Sequence, residues 1–507
     1  MTPRNVLFGP VIFCTTLVGA SAWAAETVAG SGQEMNLERL TEHALMLAQS
    51  PYNADAREVP DFLNELGYDQ YRDLQYRLEQ TLWHDQGLPF ELSFFHPGYL
   101  YRKSVAMNVI DTDDRSSPLP FSTDLFDYGP QSPLIDQIPD DIGFSGFKIW
   151  QRTDNQQLQR IGLFQGASYL RAVSSFNEYG LSARGLAINT TSPAPEEFPD
   201  FTEFWLQQPR PGDQEFVFLG LAEGPSVVAA YRFVLHPGTP MRLQVEGRLV
   251  LRQPVEELGL APFSSMFWYG ENSAHRPADF RPEVHDSDGL FIETQQESFW
   301  RPLSNPTRTR TDSLPGDDLK AYGLVQRDRN FEHYQDIEAR YHLRPDAWIV
   351  PGKGMQEGTL RLLEIETPHE YADNIALVWV PAQTPVPGEV FNYSYDLYFG
   401  ERSESAIAMV AATRYGESLR GDDSIEFVVD FEGGPLTGLS EDSELEIKSD
   451  IDGGDFIWQN IRKNPFNDTW RLNLRVMPHD NIESIRLSAH LKQADQRLST
   501  TWRYWWQ

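Results

Sequence analysis

Cysteine is nearly absent from this chain, which has a single cysteine, Cys14, in 507 residues. An intrachain disulfide needs two cysteines, so the fold must be held by core packing and strand pairing. The sequence also lacks a phosphate-binding loop, a dinucleotide fingerprint, a complete calcium loop, zinc-ligand spacing and a G-x-S-x-G elbow. We therefore predict no cofactor, no metal ligands and no serine hydrolase.

Basic residues are also scarce, with 42 Lys and Arg against 74 Asp and Glu and a formal net charge of −32. The acidic residues are spread through the chain, which makes nucleic acid or an anionic membrane surface an unfavourable partner. After the N-terminus no apolar run approaches the ~20 residues of a membrane span. We predict a chain that is not membrane-embedded.

The first 24 residues have the features of a secretory signal. Arg4 precedes an apolar run from Val6 to Leu17, and the small-residue pattern Ala22-Trp23-Ala24 follows. No adjacent pair of arginines precedes the run, so the pattern favours general secretion over twin-arginine export. We predict a signal peptide over residues 1–24 and a periplasmic location.

Helical spacing of apolar residues occurs in two N-terminal segments, Asn36 to Gln49 and Asp61 to Leu82. Beyond Leu88 the period shortens, and strands such as Met241 to Leu251 alternate apolar and polar side chains. No strand–helix–strand rhythm is present. The pattern predicts a mainly β fold, with a large N-terminal antiparallel β-sandwich and a few helices.

A charged, small-residue stretch from Gly400 to Ala406 interrupts the strands and marks a domain boundary. We predict a β-sandwich domain over residues 35–399 and a smaller domain over residues 407–507. The second domain has short alternating strands at the density typical of an immunoglobulin-like sandwich.

The segment from Ser264 to Gly289 combines aromatic residues with crowded charges. It contains the acidic residues Asp279, Glu283, Asp286 and Asp288 and the cations Arg276, Arg281 and His285. Crowded carboxylates raise each other's pKa unless cations compensate, which suits acid–base chemistry on an uncharged, hydroxyl-rich substrate. The alternative is a purely structural role, an ordinary Asp-Gly turn before the strand-like residues 290–292.

Aromatic residues make up 12% of the chain, including 13 Trp and 20 Tyr. Flat aromatic faces stack on sugar rings while carboxylates bind hydroxyls, so this composition favours carbohydrate binding. The alternative is that most of these rings form the core of a β-sandwich.

Several longer motifs identify a relationship. In chain order they are Gly166-Ala-Ser-Tyr-Leu-Arg171, Gly180-Leu-Ser-Ala-Arg-Gly185, Leu258-Gly-Leu-Ala-Pro262, Ser264-Ser-Met-Phe267, His285-Asp-Ser-Asp288, Trp300-Arg-Pro-Leu303, Asn305-Pro306, His333-Tyr-Gln-Asp336, Tyr341, Arg344-Pro345, Trp348 and Asp373-Asn374. Together they resemble the family of osmoregulated periplasmic glucan biosynthesis proteins G and D. The signal type is more similar to the G branch.

The resemblance implies a galactose-mutarotase-like β-sandwich with a sugar-binding cleft and an inverting endo-β-1,2-glucanase activity. It places Asp373 as the general acid and Asp286 as the general base, 373 − 286 = 87 residues apart. It assigns substrate-binding positions to Glu370, Tyr341, Arg344, Asp288 and Trp300.

The implied chemistry is consistent with the residue types. An inverting glycosidase uses one protonated carboxyl at the leaving oxygen and one carboxylate that activates water. We expect Glu370, three residues before Asp373, to raise the pKa of the acid by repulsion between like charges. On the residues alone, Asp373-Asn374 is also a normal turn before the strand that begins at Ile375.

The sequence therefore predicts a periplasmic protein of osmoregulated glucan biosynthesis that hydrolyses the β-1,2-linked backbone. The alternative is a non-catalytic, chaperone-like protein that binds nascent glucan. In either case the inner-membrane glucan glucosyltransferase is a possible partner.

Overall fold

The computed structural model of the protein describes residues 32–507 except 55–56, 154, 167, 175–176, 275 and 403–404. The signal peptide predicted for residues 1–24 lies outside the described residues. Within those residues, none of the helices has the length and apolar character needed to cross a membrane.

Three short α-helices lie near the N-terminus: α1 (Leu37–Ala48), α2 (Asp61–Asn64) and α3 (Tyr68–Arg72). The first predicted helix is confirmed. The Asn36 side chain accepts a hydrogen bond from the Arg39 N–H at 3.0 Å, which caps the N-terminus of α1. Leu40 and Ala44 on its apolar face are fully buried.

The single helix predicted from Asp61 to Leu82 is wrong. The chain forms only one helical turn before Gly67, a poor helix former, interrupts it. The Gln70 side chain then accepts a hydrogen bond from the Gly67 N–H at 2.9 Å, and α3 begins there. Leu63 and Leu74 are both buried, so apolar residues from several short elements produced the helical spacing.

The first seventeen strands precede residue 270. They are β1 (Gln33–Glu34), β2 (Gln75–Tyr76), β3 (Phe90–Phe94), β4 (Ala106–Ile110), β5 (Arg115–Pro118), β6 (Phe126–Asp127), β7 (Gly146–Arg152), β8 (Leu158–Gln165), β9 (Tyr169–Ala172), β10 (Ser182–Arg184), β11 (Leu186–Ile188), β12 (Asp200–Gln207), β13 (Phe216–Glu223), β14 (Val227–His236), β15 (Met241–Leu251), β16 (Leu258–Ser265) and β17 (Phe267–Tyr269). The prediction for Met241 to Leu251 is confirmed at both ends.

The second seventeen strands follow. They are β18 (Val284–His285), β19 (Gly289–Thr294), β20 (Ser298–Pro302), β21 (Arg310–Pro315), β22 (Leu319–Val325), β23 (Asp346–Pro351), β24 (Gly358–Glu364), β25 (Ile375–Pro381), β26 (Val390–Gly400), β27 (Met409–Glu417), β28 (Ile425–Glu432), β29 (Glu446–Asp452), β30 (Gly454–Lys463), β31 (Trp470–Pro478), β32 (Ile485–Gln493), β33 (Gln496–Arg497) and β34 (Thr501–Trp506). The predicted mainly β fold is confirmed.

Two large sheets form the main sandwich. The large sheet has 16 strands, in the order β1-β5-β4-β12-β13-β14-β15-β26-β23-β22-β19-β20-β34-β32-β29, with β33 beside β32. The cleft sheet has 10 strands, in the order β21-β24-β25-β16-β10-β9-β8-β7-β3, with β11 beside β16. One apolar core contains residues of both sheets, such as Phe147 of β7 and Phe218 of β13. Alternate residues of each cleft-sheet strand therefore point away from this core.

The C-terminal part forms a second sandwich, in which the four-stranded sheet β27-β28-β31-β30 faces strands β29, β32 and β34. It is joined closely to the first sandwich, because β34 pairs in parallel with β20 of the large sheet. Trp300 and Trp348 share one apolar cluster with Trp470 and Trp502. A domain division between residues 399 and 407 stays a prediction.

Candidate active site

Asp286 and Asp373 flank one short segment of chain, residues 266–267. The Asp286 N–H donates to the Met266 carbonyl oxygen at 2.8 Å. Asn374 clamps the next residue, since its side chain accepts from the Phe267 N–H at 2.8 Å and donates to the Phe267 carbonyl oxygen at 2.9 Å. These three hydrogen bonds hold Asp286 and the neighbour of Asp373 against one segment, although the two aspartates are far apart in the sequence.

Asp286 lies opposite a cation. The Nε atom of Arg344 is 3.4 Å from Asp286 Oδ1, and both side chains are partly exposed, at 19% and 16% respectively. Arg344 also stacks over the ring of Tyr341, with its guanidinium carbon 5.2 Å from the ring centre. The arrangement places a positive charge beside a carboxylate that solvent can reach.

Asp373 lies in surroundings that disfavour its charged form. By accessible surface it is exposed, yet enough protein surrounds the carboxyl for desolvation to raise its pKa, and the negative charge of Asp286 raises it further. Both observations fit a carboxyl in an open recess. Arg171 and Arg184 oppose the shift and lower the pKa. The net direction is upward, so the pKa of Asp373 lies above that of an ordinary aspartate, and the charge of Asp286 contributes to this shift.

Glu370 is not among the groups that raise the pKa of Asp373, contrary to the expectation from the sequence. Arg281 binds it with two hydrogen bonds, of 2.8 and 3.1 Å, and the Tyr341 hydroxyl donates to it at 2.6 Å. Arg281 also binds Asp279 and Asp336. Because these partners compensate the charge of Glu370, the carboxylate that raises the pKa of Asp373 is Asp286 rather than Glu370.

Two residues predicted to bind substrate lie elsewhere. Trp300 is 1% exposed and packs in the C-terminal apolar cluster. Asp288 is 3% exposed and pairs with Arg327 at 3.0 Å. The structure does not bring these two side chains to the exposed recess, so neither offers surface to a sugar there.

A buried charged network lies behind Asp286. Glu283 accepts a hydrogen bond from His285 at 3.1 Å, and Arg327 lies 3.7 Å from Glu271. Burial, with the charges of Asp288 and Glu283, raises the pKa of Glu271 to about 8. Burial lowers the pKa of His285, but the hydrogen bond and charge of Glu283 outweigh it and raise the pKa to about 9. With these raised pKa values Glu271 and His285 keep their protons at neutral pH, because the network contains more carboxyl groups than cations.

This network also reaches the C-terminal part. Glu271 accepts a hydrogen bond from the Thr413 N–H at 3.0 Å, and an Arg327 N–H donates to the Val410 carbonyl oxygen. Arg327 lies 4.7 Å above the ring centre of Trp300. The crowded acidic segment predicted from the sequence is thus divided between an exposed recess and a buried junction.

One group of side chains has the geometry of a possible metal site, which spacing in the sequence did not predict. Glu283, Asp328 and His333 each offer a ligand atom, and these atoms all lie within 4.8 Å of one another. His333 Nδ1 is already within hydrogen-bond distance of Asp328 Oδ2. A proton shared by these two groups therefore satisfies the pair without a metal.

Sequence reasoning did not assign roles to Arg171, Arg184 or Arg281. Arg171 and Arg184 lie in motifs that resemble the glucan biosynthesis family, and strand alternation on β9 could have placed Arg171 on the outward face with Tyr169. For Arg281 the local signal is Asp279, two residues earlier, which accepts hydrogen bonds from it. Its contact with Glu370 has no local signal, because Glu370 is 89 residues away.

The fold and the recess together define a β-sandwich protein in which two aspartates that solvent can reach, Asp286 and Asp373, interact electrostatically. Residues 35–506 match the family model described as "Periplasmic glucan biosynthesis protein, MdoG". The chain belongs to this family, as predicted.

Similar curated proteins cover nearly the whole chain. Probable glucans biosynthesis protein D of Shewanella oneidensis is 36% identical, over 98% of this chain and 93% of its own length. Glucans biosynthesis protein G of Ralstonia nicotianae is 38% identical over 92% of this chain and 95% of its length. Glucans biosynthesis protein D of Xylella fastidiosa is 36% identical over 94% and 90%. Both branches occur at similar identity, so membership of the G branch stays a prediction.

Proposed function

We propose that this protein is an inverting endo-β-1,2-glucanase that acts on the backbone of osmoregulated periplasmic glucans. The observation that carries the proposal is the contrast between the two aspartates. Asp373 is an exposed carboxyl with a raised pKa, and Asp286 faces the cation of Arg344. Residues 266–267 lie between them and fix their relative position.

In the proposed reaction, protonated Asp373 donates its proton to the glycosidic oxygen as the bond from that oxygen to the anomeric carbon breaks. Asp286 accepts a proton from a water molecule, whose oxygen attacks the anomeric carbon from the opposite face. The new hemiacetal therefore has inverted configuration, and one water is added per bond broken. Tyr341 and Glu370 form a hydrogen-bonded pair beside the recess that orients a sugar hydroxyl or the water.

The proposed location is the periplasm. The family description names periplasmic glucan biosynthesis, and the N-terminus has the predicted secretory signal. There the protein would trim glucan chains beside the inner-membrane glucosyltransferase that extends them.

The direct test is incubation of the exported protein with linear β-1,2-glucan. We expect shorter chains and a first-formed product of inverted anomeric configuration, detected by size-exclusion chromatography and by NMR. Asp373→Asn should lower the rate by about 10²- to 10⁴-fold, because an amide cannot supply the proton. Asp396→Asn, a change on a strand of the large sheet, serves as the matched control and should retain the rate.

Unchanged chain length with the wild-type protein would overturn the hydrolase proposal. If the protein then still bound the glucan, the non-catalytic, chaperone-like role would replace it. An Asp373→Asn protein as fast as wild type would leave the hydrolase but remove Asp373 as its acid.

A further inference from the structure

Four cations occupy the outward face of four neighbouring strands of the cleft sheet. They are Lys148 on β7, Arg160 on β8, Arg171 on β9 and Arg184 on β10. Their neighbours along these strands, such as Ile149, point into the apolar core. We call these four residues the cation row.

Strand register confirms that the row is continuous. Lys148 and Arg171 are both cross-strand partners of Leu163, from its two sides. Arg184 is the partner of Tyr169, which shares a face with Arg171. Cross-strand partners lie side by side on one face of a sheet. The row therefore crosses the cleft sheet and ends beside Asp373, whose pKa Arg171 and Arg184 lower.

Carboxylates are scarce along the row. Among the described residues, only Arg184 has a carboxylate oxygen within 4.0 Å, that of Glu196 at 3.6 Å. Lys148 lies over the ring of Phe95 and Arg160 over the ring of Tyr179, with cation-to-ring-centre distances of 4.6 Å for both. Cations that contact aromatic faces and no acid are unusual in a chain with a net charge of −32.

Arg184 is the buried member of the row. Its side chain belongs to a residue that is 4% exposed, and neither Nε nor Nη2 has a hydrogen-bond partner among the described residues. The buried Tyr179 hydroxyl also lacks a partner there. The two Arg184 nitrogens are buried, so Arg184 does not offer them to a ligand in this conformation, and its remaining end group lies 3.6 Å from Glu196. The cations of the row that solvent reaches are Lys148, Arg160 and Arg171.

The large sheet provides an internal contrast. On β14, Arg232 pairs with Glu246 at 4.0 Å, and on β15 Arg248 pairs with Glu38 at 2.8 Å. Cations on other positions of the cleft sheet also pair with carboxylates, Arg152 of β7 with Glu91 and Arg361 of β24 with Glu257 at 2.6 Å. The shortage of anions is thus a property of the cation row and not of every cation on a strand.

We propose that the cation row binds negatively charged substituents, carboxylate half-esters or phosphate esters, on the glucan that lies in the cleft. This inference rests on the proposed function for the identity of the polymer. Guanidinium groups bind carboxylate and phosphate through paired N–H donors, and the aromatic rings between them stack on sugars. The chain therefore prefers an acidic glucan to a neutral one, although the protein itself is strongly acidic.

The test compares three esters of one linear β-1,2-glucan at equal degrees of substitution: succinyl half-esters, phosphate esters and neutral acetyl esters. Binding is measured by calorimetry, with Asp286→Asn protein if the wild type shortens the glucan and with wild type if it does not. We expect at least one anionic ester to bind about 5- to 10-fold more tightly than the acetyl ester, with a difference that shrinks as salt is added. The two anionic esters distinguish carboxylate from phosphate.

The variant arm changes the part of the row distant from Asp373. Lys148→Gln with Arg160→Gln should remove most of the preference for the anionic ester, whereas Arg232→Gln, on the large sheet, should retain it. Equal binding of charged and neutral esters, a preference that salt does not reduce, or a preference that survives in the row variant would each overturn the inference. Equal binding of all three esters would leave the proposed glucanase intact, whereas failure of every glucan to bind would overturn both proposals.

Discussion

The motif His285-Asp-Ser-Asp288 has one side chain in the exposed recess and two in the buried network, although the four residues are consecutive. Asp286 is partly exposed beside Arg344 in the recess, whereas His285 and Asp288 are 0% and 3% exposed and belong to the buried network. Alternation separates His285 from Asp286, since neighbouring side chains of a strand point in opposite directions. It does not explain Asp288, because the chain bends at Asp286; the Asp288 N–H donates to the Val325 carbonyl oxygen at 2.8 Å, and its carboxylate pairs with Arg327. One short motif thus contributes to the proposed chemistry on one side and to the junction with the C-terminal part on the other.

Gly289 and Trp300 belong to the buried side. A Cβ atom on Gly289 would lie 2.3 Å from the Trp300 ring, so the strand can approach the ring only with glycine at this position. The Asp-Gly sequence at the end of the motif therefore serves close packing against an indole. This is a structural role for Trp300, the residue that the resemblance placed in the sugar-binding cleft.

The largest expected difference between the two sides comes from matched substitutions of the two aspartates. Asp286→Asn should lower hydrolysis of β-1,2-glucan by about 10²- to 10⁴-fold, because water loses its base, with little change in melting temperature. Asp288→Asn should lower the unfolding free energy by about 3 kcal/mol, because it leaves the buried Arg327 without its closest carboxylate. Activity assays and thermal melts of both variants decide the matter. Equal losses of activity and stability in both would contradict the division.

The buried side should also give the protein a pH-dependent stability. The pKa of Glu271 is raised to about 8 and that of His285 to about 9. The folded chain therefore holds protons that the unfolded chain releases nearer the ordinary values of 4.5 and 6.5. Stability falls as pH rises through these windows, since the folded state then binds more protons than the unfolded state.

Glu271→Gln removes one of these titrations. We expect its melting temperature to fall less than that of wild type between about pH 6 and about pH 9, with the exposed change Glu389→Gln as the control. Parallel curves for wild type and Glu271→Gln would show that Glu271 is not the titrating group.

Local patterns predicted the strands well and the site only in part. The strand from Met241 to Leu251 follows from alternation alone. The broken helix after Asp61 does not, because apolar residues of separate elements reproduced a helical period. Long-range partners such as Arg281 and Glu370 leave no local trace. The sequence could not show that Trp300 is buried, because sugar-binding and core tryptophans both occur in strands and look alike in a sequence.

The smallest expected effect concerns the exposed side, where Arg171 lowers the pKa of Asp373 against desolvation and the charge of Asp286. Arg171→Gln should raise that pKa further, so the acid stays protonated to higher pH and the basic limb of kcat/KM moves up by about half a pH unit. Arg171→Lys keeps the charge and should leave the limb in place. A residue that only contacted sugar would change KM in both variants without moving the limb. A basic limb that stays fixed or moves to lower pH in Arg171→Gln would show that Asp373 does not set it.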